Sequence, residues 1–61
     1  MKLLHIVGDK YDHYVFPDKI QEIIPFIDED GAERTVFVMD SGDRFKSLSN
    51  IREIIEKIDK L

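Results

Sequence analysis

His5 and His13 are the only histidines in the chain, and Asp9 and Asp12 stand between them. Imidazole nitrogens and carboxylate oxygens together make a common set of transition-metal ligands. If the segments carrying His5 and His13 pair as a hairpin, the two rings could share a face and Asp12 could complete a site. The spacing matches no metal motif, however, and there is no cysteine to supply a thiolate. No metal ligand is therefore assigned. Asp28-Glu29-Asp30-Gly31 has the composition of a calcium loop, but it lacks the alternating acidic register and the glutamate that would bind bidentately. It reads as a solvated turn. Ser41, Ser47 and Ser49 lie in no G-x-S-x-G elbow, and the glycines at 8, 31 and 42 are isolated, so neither a nucleophile nor a phosphate-binding loop is indicated. The expectation is a protein that is not an enzyme and uses no cofactor.

The aromatic residues could instead form a contact surface. Tyr11, Tyr14, Phe16, Phe26, Phe37 and Phe45 are spread over the first three quarters of the chain, and in so short a domain most are needed as core. In a strand over Tyr11–Phe16, alternation places Tyr14 and Phe16 on one face and Tyr11, His13 and Val15 on the other. Burial of both faces needs a second surface, either a helix or a partner chain. Tyr11, His13 and Tyr14 are the residues singled out for contact with a partner.

The elements that must position these residues follow from local pattern. Lys2–Val7 is apolar and β-branched, and Gly8-Asp9-Lys10 reads as a turn. Tyr11–Phe16 reads as a second strand, ended by Pro17, which has no backbone donor. Ile20, Ile23 and Ile24 have helical spacing, but Pro25 opposes a helix, so an opening turn and a strand over Ile23–Ile27 are predicted. Thr35–Met39 is the clearest strand, and Asp40-Ser41-Gly42-Asp43 returns the chain into Arg44–Ser47 as a hairpin. The last segment, about 50–60, is a helix. Asn50 caps it and Glu53 completes a capping box. Ile51, Ile54, Ile55, Ile58 and Leu61 form one apolar stripe, while Glu53–Lys57 and Glu56–Lys60 are i,i+4 pairs on the other face. Ile54 and Ile55, at mid-stripe, are expected to be almost fully buried against a sheet or a second subunit.

Size and charge narrow the function classes. A chain of 61 residues is one domain, and it buries only about 60 % of the surface its unfolded form exposes. Domains this small are commonly stapled by disulfides, metal or a partner subunit. Without cysteine the partner is the remaining staple, which points to a homo-oligomer. The 43 % apolar content supports a folded core rather than disorder. A net charge of −4, with the basic residues scattered from Lys2 to Lys60, opposes binding to a nucleic-acid backbone. No run approaches the roughly 20 apolar residues of a membrane helix, and Lys2–Val7 is too short for an export signal. No membrane association and a cytoplasmic location are the expectations.

From Thr35 onward the chain resembles the small flagellar and swarming-motility proteins of bacteria, the FlbD-like family. Thr35-Val36-Phe37-Val38-Met39, Gly42, Phe45, Asn50 and Glu53-Ile54-Ile55-Glu56-Lys57-Ile58 follow the family's pattern T-x-I-x-L, G-x-x-Y, S-x-x-E-I-I-x-x-I without a gap. Gly8, Phe16, Ile20 and Ile23 are similar to its first half, where the Gly8–Pro17 loop is longer and Pro17 stands for an asparagine. The resemblance covers about 40 residues and implies a cytoplasmic accessory protein that acts through protein contacts. It transfers no catalytic residue.

These readings converge on an α+β domain spanning residues 1–61, with four to five short antiparallel strands and one C-terminal amphipathic helix. The function expected is a non-enzymatic protein–protein interaction module. Two alternatives are a phage- or mobile-element-encoded inhibitor of a host factor, and a small-ligand or nucleotide binder with its site at an oligomer interface.

Overall fold

The apolar run Thr35–Met39 lies at the middle of the molecule, as its hydropathy requires. In the computed structural model, which describes residues 2–61, it forms most of a strand flanked on both sides. In chain order the elements are β1 (Leu4–Ile6), β2 (His13–Val15), a single 3-10 turn at Pro17–Lys19, β3 (Ile20–Ile27), β4 (Glu33–Met39), β5 (Arg44–Ser47) and α1 (Ile51–Asp59). β1 and β2 make a two-stranded antiparallel sheet, and β3-β4-β5 make a three-stranded one. A bridge between Gly8 and Ser47, with the Leu48 amide donating to the Val7 carbonyl at 2.9 Å, joins the end of β1 to the end of β5. The α+β class and the C-terminal helix are as the sequence predicts.

Local chemistry explains the boundaries. The turn after β4 is closed by the Met39 amide donating to the Asp43 carbonyl and the Gly42 amide donating to the Met39 carbonyl. This three-residue turn ends on a left-handed residue, and Gly42 fills that position with φ +94°. The turn before β4 is closed in the same way by the Asp28 amide and the Ala32 carbonyl, 2.8 Å apart. β3 begins at Ile20, earlier than the turn-then-strand reading placed it. An irregularity in register between Ile20 and Glu22 absorbs the misfit.

The closing bonds of both turns fix which backbone groups of β3 face β4. Hydrogen-bonded pairs alternate along an antiparallel ladder, so Glu22, Ile24 and Phe26 bond to β4 while Ile23, Pro25 and Ile27 point their amide positions at the open edge. Pro25 thus stands where a missing N–H costs the sheet nothing, which is the position an edge strand allows.

The core is small. Leu4 and Ile6 from β1, Phe37 from β4 and Ile54 from α1 are buried together, with Val15, Ile20, Ile23 and Phe45 packed around them. Asn50 accepts the Glu53 amide at 2.9 Å, and the Glu53 carboxylate accepts the Asn50 amide, so the capping box is complete. The Lys57 ammonium donates to the His5 carbonyl at 3.1 Å and ties the helix to β1. Glu53 and Lys57 are thereby committed elsewhere, and neither i,i+4 pair of the helix forms an ion pair among the described residues.

The expectation for Ile55 is corrected. Ile54 is fully buried, whereas Ile55 is 52 % exposed. Successive helical residues are turned by about 100°, so a helix that meets the sheets along one line covers Ile54 and leaves its neighbour outside.

Candidate interaction surface

The hairpin register sorts the residues singled out for contact. Leu4 pairs with Val15, His5 with Tyr14 and Ile6 with His13. Cross-strand partners share a face and the faces alternate, so His13 lies on the side of buried Ile6, while His5 and Tyr14 lie on the opposite side. His5 and His13 therefore do not converge on a common site, and Asp12 pairs with His5 alone. Tyr11 and Tyr14, 68 % and 65 % exposed, are likewise divided between the two faces rather than gathered into one patch.

On the outer face, the His5 and Tyr14 rings stack with centroids 4.9 Å apart. His5 Nε2 lies 2.8 Å from Asp12 Oδ2, and this hydrogen bond is the main cause holding the Asp12 carboxyl below its usual range. Leu3 and Phe16, next along the two strands, are also about half exposed. On the inner face a column of rings runs from surface to core. Tyr11 tilts against His13 at 5.0 Å, His13 stacks on Phe45 at 3.9 Å, and Phe45 stacks on buried Phe37 at 5.4 Å. His13 serves as packing here, in a position that an aliphatic neighbour could not stack as closely. The part played by Phe45 was not visible in the sequence, because its partners lie 32 and 8 residues away.

Two of the three carboxylates of the acidic turn pair with cations of their own sheet. Asp28 Oδ2 accepts from Lys46 Nζ at 3.2 Å and lies 3.7 Å from Arg34 Nε, while Arg34 Nη2 donates to Asp30 Oδ2 at 3.3 Å. Arg34 Nη1 also donates to the Leu48 carbonyl at 3.0 Å. The Glu29 amide, followed by the Lys46 ammonium, holds the Asp28 carboxyl below its usual range. The turn is a cross-strand clamp in which Asp28 and Asp30 already have cations and Glu29 is left exposed. Two of the three serines use their hydroxyls internally, and Ser49 takes part through its backbone. Ser47 is buried and its Oγ accepts the Ser49 amide at 3.1 Å, the Ser49 carbonyl accepts Thr35 Oγ1 at 3.1 Å, and Ser41 Oγ donates to Asp43 at 3.1 Å.

A third surface lies beside α1. Ile55, Ile58 and Leu61 are all more than a third exposed, Ile55 on the outward side of α1, Ile58 one turn beyond buried Ile54, and Leu61 just past the end of the helix. The stripe is continued at each end by a shallow hollow. One, of ≈ 300 Å³, has Pro25, Ile27, Ile51 and Arg52 in its wall, and the other, of ≈ 470 Å³, has Pro17, Ile58 and Leu61. Ile27 is 72 % exposed at the rim of the first. No described helix is long and apolar enough to cross a membrane. The chain gives no significant match to any family model, to a curated protein or to a solved structure.

Proposed function

We propose that this protein is a non-enzymatic, cytoplasmic interaction module that binds protein rather than nucleic acid and acts as a homo-oligomer. One observation carries the reading. Among the described residues, five apolar ones are buried, whereas nine large apolar or aromatic side chains are exposed, among them Tyr14, Ile27 and Ile55. A single domain below about 70 residues with so few buried side chains gains only about 3–5 kcal/mol from its core, and the apolar side chains left exposed are available for another surface to cover. The scattered basic residues and net charge of −4 favour a protein partner over a polyanion. An accessory role of this kind is also what the resemblance to the FlbD-like motility proteins implies. The test is sedimentation equilibrium at micromolar concentration. Species of at least twice the 7.2 kDa chain mass are expected. A cooperative, stable 7.2 kDa monomer would overturn the reading.

A further inference from the structure

Arg52, Ile55 and Asp59 form a single row along the outward side of α1, spaced i, i+3 and i+7. All three are exposed, and among the described residues neither Arg52 nor Asp59 has an ion-pair partner. Both charges also oppose the helix that carries them. A helix N-terminus favours anions and its C-terminus favours cations, yet Arg52 is the second residue of α1 and Asp59 is its last. Local charge rules broken in this way, at exposed positions beside an uncovered isoleucine, indicate that another surface supplies the compensation.

We infer that the outward face of α1 is the seat of a two-fold dimer in which the α1 helices of two copies lie antiparallel, with Ile55 beside the axis. This deepens the homo-oligomer reading above and rests on it. The geometry selects the second copy as occupant. A two-fold axis between antiparallel helices brings position 52 of one copy level with position 59 of the other, on the same side of the seam. Arg52 then meets the partner copy's aspartate twice over, once at each end. The same move places each arginine beside the negative end of the facing helix and each aspartate beside the positive end, which removes both misfits at once. A parallel pair gives neither result, because its axis turns the row of Arg52 and Asp59 towards the opposite flank of the neighbour.

Size is compatible with this arrangement. A stable dimer buries about 800 Å² per partner, roughly a fifth of the 4430 Å² surface. The nine residues of α1 cover only about 14 Å of length, so the contact must run into the hollows at both ends of the stripe, where Ile27 and Leu61 are exposed.

The test is sedimentation equilibrium of the whole chain carrying Arg52→Asp, Asp59→Arg, both together, or Ile55→Glu, each checked for its helix by circular dichroism. Each single charge reversal sets like charges together at two symmetric places and should raise the dimer dissociation constant roughly tenfold. The double variant restores opposite charges in swapped order and should return to within about threefold of the parent. Either reversal places its charge favourably on its own helix, so a loss of dimer cannot be ascribed to a lost helix. Ile55→Glu should give folded monomer. A dimer indifferent to all four variants overturns this interface and leaves the homo-oligomer reading standing. A parent chain that remains monomeric overturns both.

Discussion

The two sides of α1 carry the same residue type under opposite conditions. Ile54 is sealed among Leu4, Ile6 and Phe37, while Ile55 is half in water beside Arg52 and Asp59. In sequence they are adjacent and alike. Their difference teaches that an apolar stripe wider than one contact line serves two purposes, with one edge for the core and the other available for a second surface. The breadth of the stripe, five residues over Ile51–Leu61, exceeds what two short sheets can cover.

Substitution at the two positions separates these purposes. Ile54→Ala should cost about 2–5 kcal/mol, from lost transfer energy and the cavity left among close-packed neighbours. Against a margin of about 3–5 kcal/mol, that leaves the chain largely unfolded in a urea titration. Ile55→Ala should shift the stability of the isolated chain by less than about 1 kcal/mol and act on association instead. Equal losses in dilute solution, where dimer is absent, would erase the distinction between the faces.

Removing the cap is expected to have an intermediate effect. Asn50→Ala strips the Glu53 amide of its acceptor and should cost about 1 kcal/mol. Because the whole helix frays from that end, both faces should suffer together. The check is whether the variant lowers thermal stability and weakens self-association in the same preparation. Loss of one without the other would mean that the outward face does not depend on an intact helix.

The smallest effect should come from the carboxylates Asp12 and Asp28. Asp12 and Asp28 are held below the usual carboxylate range in the folded chain, so each stabilises it above the unfolded value. That contribution is lost as pH falls through the lower folded value, below about pH 4. Asp12 is about half exposed and Asp28 about a quarter exposed, so water screens both pairs and only a modest fall in denaturant midpoint is expected on acidification. The gap between Ile54→Ala and Ile55→Ala should persist from pH 7 to pH 5, because it arises from apolar packing. A gap that closed in that range would mean that charge, not burial, distinguishes the two faces.

Much of the architecture was legible because its causes are local. The turn residues at 40–43, the Asn50–Glu53 capping box and the β-branched run at 35–39 each act within a few residues, so their outcome does not depend on distant chain. The candidate surface was less legible. Whether His5 faces His13 or Tyr14 depends on register, and a slip of one residue exchanges every side chain between faces. The six-residue connection from Val7 to Asp12, pinned by the bridge of Gly8 to Ser47, decides that register, and Ser47 lies 39 positions downstream. The charge misfits of Arg52 and Asp59 were present in the sequence, but they acquire meaning only when Ile55 between them is found uncovered.

The sequence by itself thus determined the elements, their order and the α+β class, since period, capping and turn chemistry are properties of neighbouring residues. The tertiary structure alone decided which of two adjacent isoleucines is buried, which rings join the core through Phe45, and why Pro25 is tolerated in a strand. Those outcomes depend on where separate elements meet, and burial is a property of the space between them.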